Sequence, residues 1–155
     1  MICPFVDNEL TRSSLRGIKQ IFIFVQPIDF ELEQLGLTED QILTAVQLKL
    51  RMAGIIPLSE EEARKTPDCL VLMIFLAGSE PDGENIFPYA VSLGVSQSIF
   101  LTRDESIKSV GLTWGCGPIT GVMETGQGEQ FRNRIKDLVD SFNYAWLSAN
   151  PQRRT

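Results

Sequence analysis

Hydrophobic and polar residues change their spacing several times along this chain, and each change predicts an element. In Ile18–Gln26 (IKQIFIFVQ) every residue from Ile21 to Val25 is apolar, and Pro27 closes the run. An unbroken β-branched and aromatic run of this kind predicts a central strand covered on both faces. In GLTEDQILTAVQLKLRMAG the apolar positions move to helical spacing. Ile42, Val46, the stem of Lys49 and Ala53 share one face, with Leu43 and Leu50 beside them. Thr38 and Gln41 have the spacing of a capping box, in which each side chain satisfies a free backbone donor of the other. Leu37 is placed to staple onto Ile42, and Gly54 fits the left-handed residue that ends helices, so a helix is predicted over Glu39–Ala53.

Ile55–Leu58 reads as a short strand, held to an edge or an end by Pro57. Ser59 and Glu62 repeat the cap spacing and predict a brief helix over Glu60–Lys65. Cys69–Ala77 (CLVLMIFLA) is a second unbroken apolar run and predicts a second central strand. SEPDGEN then supplies turn chemistry. GQGEQFRNRIKDLVDSFNYAWLSANP carries Phe131, Ile135, Leu138, Phe142, Ala145 and Ala149 on one stripe, with Val139 and Trp146 at its edge. That is a long amphipathic helix ended by Asn150-Pro151.

Between these lie two stretches of strict alternation. Phe87, Tyr89, Val91, Leu93, Val95, Ile99 and Leu101 point one way, with Gln97 the exception, while Ala90, Ser92, Gly94, Ser96 and Ser98 point the other. Farther on, Val110, Leu112, Trp114, Cys116 and Pro118 alternate with Ser109, Gly111, Thr113, Gly115 and Gly117, and the strand continues to Val122. The apolar face uses odd numbers first and even numbers second. Opposed residues of an antiparallel pair share a face, so their numbers must sum to an odd value. A turn centred on Asp104-Glu105 meets this condition. It sets Ile99 opposite Val110, Val95 opposite Trp114 and Leu93 opposite Cys116. On the other face Ser98 meets Gly111, Ser96 meets Thr113 and Gly94 meets Gly115.

The glycines of TWGCGPITGV therefore continue a face of small, uncharged residues across two strands. Ser92, Gly94, Ser96, Ser98, Gly111, Thr113 and Gly115 form a candidate interaction face, because strands bordering water ordinarily carry larger polar side chains. The same stretch lacks the Lys-Ser/Thr ending of a phosphate loop, and no helix starts at its last glycine. Cys116 points into the apolar face beside Trp114, where burial keeps a thiol inert. Tyr89, Trp114 and Trp146 are the candidate lining of a pocket between sheet and helices, on the alternative reading of a small-molecule binder or an enzyme.

The predicted class is α+β: a two-layer sandwich with a mixed, mostly antiparallel sheet in the order β-α-β-(short α)-β-β-β-α and the two main helices on one face. Their stripes are expected on Val91, Leu93, Val95, Leu112 and Trp114. Residues 1–155 read as a single domain, with 1–16 an irregular arm and 151–155 a frayed tail.

Composition narrows the chemistry. The chain has 155 residues, 14 basic and 20 acidic, for a net charge of −6. That balance argues against a nucleic-acid partner, which needs a surplus of Lys and Arg on one face. There is no histidine, so the Ser-His-Asp and Cys-His arrangements and imidazole zinc sites are absent. The cysteines, Cys3, Cys69 and Cys116, form no C-x-x-C pair. No catalytic, metal or cofactor residues are assigned. Asp29, Glu31, Glu33, Asp82, Glu84, Asp137 and Asp140 read as solvated charges. No run approaches the length of a membrane span. MICPFV resembles no export leader, so the default compartment is the cytoplasm, with a periplasmic or secreted protein lacking its signal as the alternative.

LRGIKQIFIFV, LKLRMAGI, YAVSLGVSQSIFL, Thr113-Trp114 and DLVDSF…LSANP together resemble a family of small uncharacterised bacterial proteins, over Leu15 to Pro151. That resemblance implies export for many members and no known catalytic residues. The succession of elements is also similar to small envelope domains, such as the N-terminal domain of the Tol–Pal propeller protein. The functional expectation is a non-catalytic interaction module, associated with the cell envelope, that binds a protein partner or itself through its sheet surface.

Overall fold

A computed structural model describes residues 6–27, 36–78 and 86–151. Five strands form one mixed sheet: β1 Gln20–Val25, β2 Ile56–Leu58, β3 Val71–Gly78, β4 Ile86–Leu101 and β5 Asp104–Glu124, in the spatial order β2-β1-β3-β4-β5. β1 runs parallel to both β2 and β3, and β3, β4 and β5 are antiparallel. The helices are α1 Glu9–Ser13, α2 Glu39–Ala53, α3 Glu60–Lys65 and α4 Gly128–Ala149. The α+β class and the order of elements are those expected.

Local chemistry accounts for the helices. Thr38 and Gln41 cap α2 reciprocally, and Gly54 ends it at φ 96°. Ser59 and Glu62 cap α3 in the same way. Both match expectation. The arm is not irregular throughout: Asn8 and Thr11 form a capping box that starts α1. Thr11 takes the place usually held by Glu or Gln, so the spacing carried no familiar signal.

The core lies between one sheet face and the pair α2 and α4. Ile42, Val46 and Leu50 of α2 and Phe131, Ile135, Leu138, Phe142 and Ala145 of α4 meet the strands there. From the sheet come Ile21 and Ile23, Leu72 and Ile74, and Val91, Leu93 and Val95, all buried. Alternate residues of β1 and β3 point the other way. Phe22, Val71 and Met73 are only half-buried and Phe24 is 41% exposed. The expectation that both apolar runs are covered on both faces is thus corrected. An unbroken apolar run does not by itself show that two layers cover it.

SEPDGEN, Cys3, the acidic residues Asp29, Glu31 and Glu33, and most of the C-terminal tail lie outside the described residues.

Candidate functional site: the outer face of the sheet

The face turned away from α2 and α4 is assembled from rows that cross the strands. Phe22, Val71, Ser96 and Leu112 are successive partners in one row, and Phe24, Met73, Gly94 and Gly115 in the next. Large apolar side chains on β1 and β3 give way to small ones on β4, as alternation in β4 requires.

β5 departs from simple alternation. In the middle of the hairpin Leu93 pairs with Cys116, Gly94 with Gly115 and Val95 with Trp114, as expected. One step farther Ser96 pairs with Leu112, not Thr113. Thr113 is the extra residue of a bulge, and a one-residue shift turns every following side chain to the opposite face. Ser98 therefore pairs with Val110 and Ile99 with Ser109. A second register shift lies opposite Ser92, where Gly117 takes φ 98° ahead of a cis Pro118. The chain turns back through a short loop between Leu101 and Asp104.

The bulge is held by side chains. Gln97, the polar exception on the inward face, donates from Nε2 to Thr113 Oγ1 at 2.6 Å and to Ser14 O at 3.1 Å. Trp114 Nε1 donates to Asp7 Oδ1 at 3.0 Å. Arg12 holds that carboxylate from the other side, through Nε at 2.6 Å and Nη2 at 2.8 Å. Asn150 fastens the end of the arm to α4, accepting from Gly17 N–H at 2.7 Å and donating to Leu15 O at 3.0 Å. The N-terminal arm is thus a clamp on the bulged strand.

The consequence for the face is large. Leu112 is 43% exposed, Val110 69% and Phe100 63%. All three lie on the outer face, since Leu112 pairs with Ser96, Val110 with Ser98 and Phe100 with Lys108. Leu112 was expected beneath the helices, as was Val110, and the bulge overturns both. Gly111 and Thr113, expected on the outer face, are turned inward. A Cβ on Gly111 would meet Ile99 Cδ1 at 2.9 Å. Ser92, Gly94, Ser96, Ser98 and Gly115 do share the outer face. Of these, Ser92, Gly94 and Gly115 are buried and Ser96 and Ser98 half-buried. Sequence parity thus placed five of the seven candidate residues on one face, misplaced Gly111 and Thr113, and missed the exposed Val110 and Leu112. Nothing in the sequence around Thr113 marks the bulge.

One ion pair reaches into this patch, where Lys108 stands directly opposite Phe100. Lys108 Nζ donates to Asp68 Oδ1, which also accepts from Ser98 Oγ at 2.9 Å. The Lys108 ammonium and the Ser98 hydroxyl hold the Asp68 carboxyl below its ordinary value. This pair ties the entry to β3 to the far end of the hairpin. At the other end of the face Val122, 62% exposed, stands beside Glu124.

The proposed pocket lining is not a lining. Tyr89, Trp114 and Trp146 are packed in the core. Tyr89 meets Phe131 edge-on at 5.3 Å and Trp114 meets Phe142 at 5.4 Å. Trp146 Nε1 donates to Ile18 O at 2.9 Å. Tyr89 also fills the space over Gly121, where a Cβ would lie 2.7 Å from its hydroxyl. Cys116 contacts the core, and burial pushes its thiol up to about 12. Burial also raises the Cys69 thiol. Among the described residues no cluster of three or more His, Cys, Asp or Glu could hold a metal ion. No described helix is long and apolar enough to cross a membrane.

No family model matches the chain, and no curated protein does. Among solved structures it is similar to a minor lipoprotein from Acinetobacter baumannii, at 14% identity and a TM-score of 0.36, covering 85% of this chain and 93% of that one. It is also similar to a neuraminyllactose-binding hemagglutinin homolog from Helicobacter pylori, at 12% identity and a TM-score of 0.34, covering 85% and 83%.

Proposed function

We propose that this chain is a non-catalytic binding module that engages a protein surface through the outer face of its sheet. The observation that carries this reading is the patch formed by Phe100, Val110 and Leu112. Val110 and Leu112 are exposed two residues apart on one face of β5, and Phe100 is exposed on the same face of β4 opposite Lys108, on a chain whose net charge is −6. Apolar residues scattered singly over a surface need no explanation, whereas a contiguous apolar patch with a polar margin marks an interaction site. The patch sits on a paired β-ribbon anchored by the Asp68–Lys108 bridge and by the arm's clamp on the bulge, so its side chains are presented on ordered backbone. Interfaces of this kind draw most of their energy from a few large apolar anchors. The partner is a protein, either a second copy or another chain. Association with the cell envelope belongs to this proposal through the family resemblance alone.

Site-specific photo-crosslinking tests the reading. A benzophenone side chain placed at Leu112 or Val110 should give defined protein adducts in cells expressing the chain. The same group at Leu48 or Tyr144, exposed on α2 and α4, should not. Adducts from the helix positions alone, or from none of the four, would overturn it.

A further inference from the structure

A cleft of about 720 Å3 opens at the far edge of the sheet from the bulged hairpin. Its origin is topological. β2 pairs with only the first half of β1, from Gln20 to Phe22, whereas β1 runs on to Val25. After Leu58 the chain leaves the sheet, because Ser59 caps α3. The open flank of β1 becomes a floor. α2 walls it with Glu39, Leu43 and Gln47, at the four-residue spacing of one helix face. α3 walls it with Ala63 and Arg64.

The position is also a reversal point of the chain. From β1 the chain goes out to β2 on one side and returns past β1 to β3 on the other. In open sheets with parallel strands, ligands collect in the crevice outside the carboxyl ends of the strands where the winding reverses. The cleft is lined by those ends: Phe24 and Val25 of β1, Pro27 just beyond it, and Leu58 of β2. Its volume falls within the usual range for small-molecule sites, about 300–1,000 Å3.

The lining fixes the ligand class. Phe22, Phe24, Leu43, Leu58 and Val71 offer an apolar, partly aromatic surface. Its charged groups among the described residues are Glu39, Glu60 and Arg64. Arg64 donates to Glu60 and is neutralised by it. Glu39, exposed in the first turn of α2, has no ion-pair partner among the described residues and lines the cleft from the α2 side of β1, while Phe22 and Phe24 line it from the other side. That combination suits a cation, through the carboxylate and through the ring faces. It disfavours an anion. We propose that this cleft binds a small organic cation, an ammonium group on an apolar aromatic or aliphatic body. The cleft shares the outer face through Phe22, Phe24 and Val71 but includes none of Phe100, Val110 and Leu112, and the proposal does not depend on the reading given for those three.

Three probes of matched size test this: phenethylammonium, 2-phenylethanol and 3-phenylpropionate, titrated into the full chain labelled with 15N. The cation should shift the amides of Phe24, Leu43 and Ala63 and bind at least tenfold more tightly than the carboxylate. Glu39→Gln should reduce its affinity to that of the alcohol while leaving the unliganded spectrum otherwise unchanged. Ala63→Trp should fill the cleft and abolish binding of cation and alcohol alike. If Ala63→Trp does not fold, Leu43→Arg serves the same purpose from the α2 wall. Equal or tighter binding of the carboxylate would overturn the ligand class. Shifts confined to other residues, or no binding of any probe, would overturn the site.

Discussion

The indole N–H of Trp114 donates to the carboxylate of Asp7 across 107 positions of sequence, at 3.0 Å. The same carboxylate receives Arg12. The bond fixes the residue next to the Thr113 bulge and so helps decide which way Leu112 and Val110 point. Arg12 holds the Asp7 carboxyl below its ordinary 3.8, partial burial opposes this, and the Trp114 bond adds to the lowering. A carboxyl depressed in the folded state contributes stability above its unfolded pKa and loses it as pH falls through the folded value. Asp7→Ala should therefore cost about 1.5–3 kcal/mol at neutral pH, the scale of a hydrogen bond to a charged group. The difference from wild type should shrink as pH falls below about 4, the unfolded value of a free Asp. Denaturant titrations at pH 7 and pH 3 measure both, with Trp114 fluorescence as the reporter.

The two neighbours of the bulge should respond in opposite ways. Trp114 is 2% exposed and packs on Phe142, so Trp114→Ala should cost about 3–5 kcal/mol. Leu112, two residues earlier, should accept Lys within about 0.5 kcal/mol, as surface sites do. Thermal or denaturant unfolding of both variants checks the contrast, and an unbulged strand would make both changes severe.

Gly117 and Gly54 share nearly the same φ, 98° and 96°, but differ in surroundings. A Cβ at Gly54 meets nothing within 4 Å, whereas one at Gly117 lies 3.0 Å from Ser92 Cα and Val91 O. Gly54→Ala should cost about 1 kcal/mol, the left-handed penalty alone. Gly117→Ala should cost about 2–3 kcal/mol, because strain and backbone crowding add. Equilibrium unfolding of the pair separates the two contributions.

Cys116 should be nearly inert. With its thiol raised to about 12 by burial, the thiolate fraction at pH 8 is about 10³-fold below that of a free cysteine. In a Cys3→Ser, Cys69→Ser background, native protein should react with a disulfide reagent on that slow scale and rapidly once unfolded. Native reaction within tenfold of a free thiol would contradict the packing.

Much of this fold could be read from the chain because its helices carry local chemistry. The Thr38–Gln41 and Ser59–Glu62 boxes and Gly54 placed α2 and α3, and alternation from Ile86 to Leu101 placed β4. The centre of the hairpin register followed from parity alone, as Val95–Trp114 and Leu93–Cys116 show. Parity failed beyond Thr113, because a bulge depends on tertiary partners, here Gln97, Ser14 and Asp7, that no local pattern reveals. The same blindness hid the exposed patch. In an unbulged strand Val110 and Leu112 belong to the core, and their hydrophobicity looks fully explained. Tyr89, Trp114 and Trp146 misled in the opposite sense. Aromatic size suggested a lining, but Tyr89 and Trp114 pack edge-on against Phe131 and Phe142 of α4, and Trp146 is bonded to Ile18 O.

The account rests on Leu112 and Val110 facing away from α2 and α4. Methyl-labelled protein, kept dilute in the presence of a soluble paramagnetic chelate, tests this most directly. Signals of Leu112 and Val110 should be attenuated as strongly as those of Leu48 on the exposed side of α2, while Leu93 and Val95 stay protected. Protection of Leu112 and Val110 equal to that of Leu93 and Val95 would contradict the bulged register, and with it the proposed docking patch.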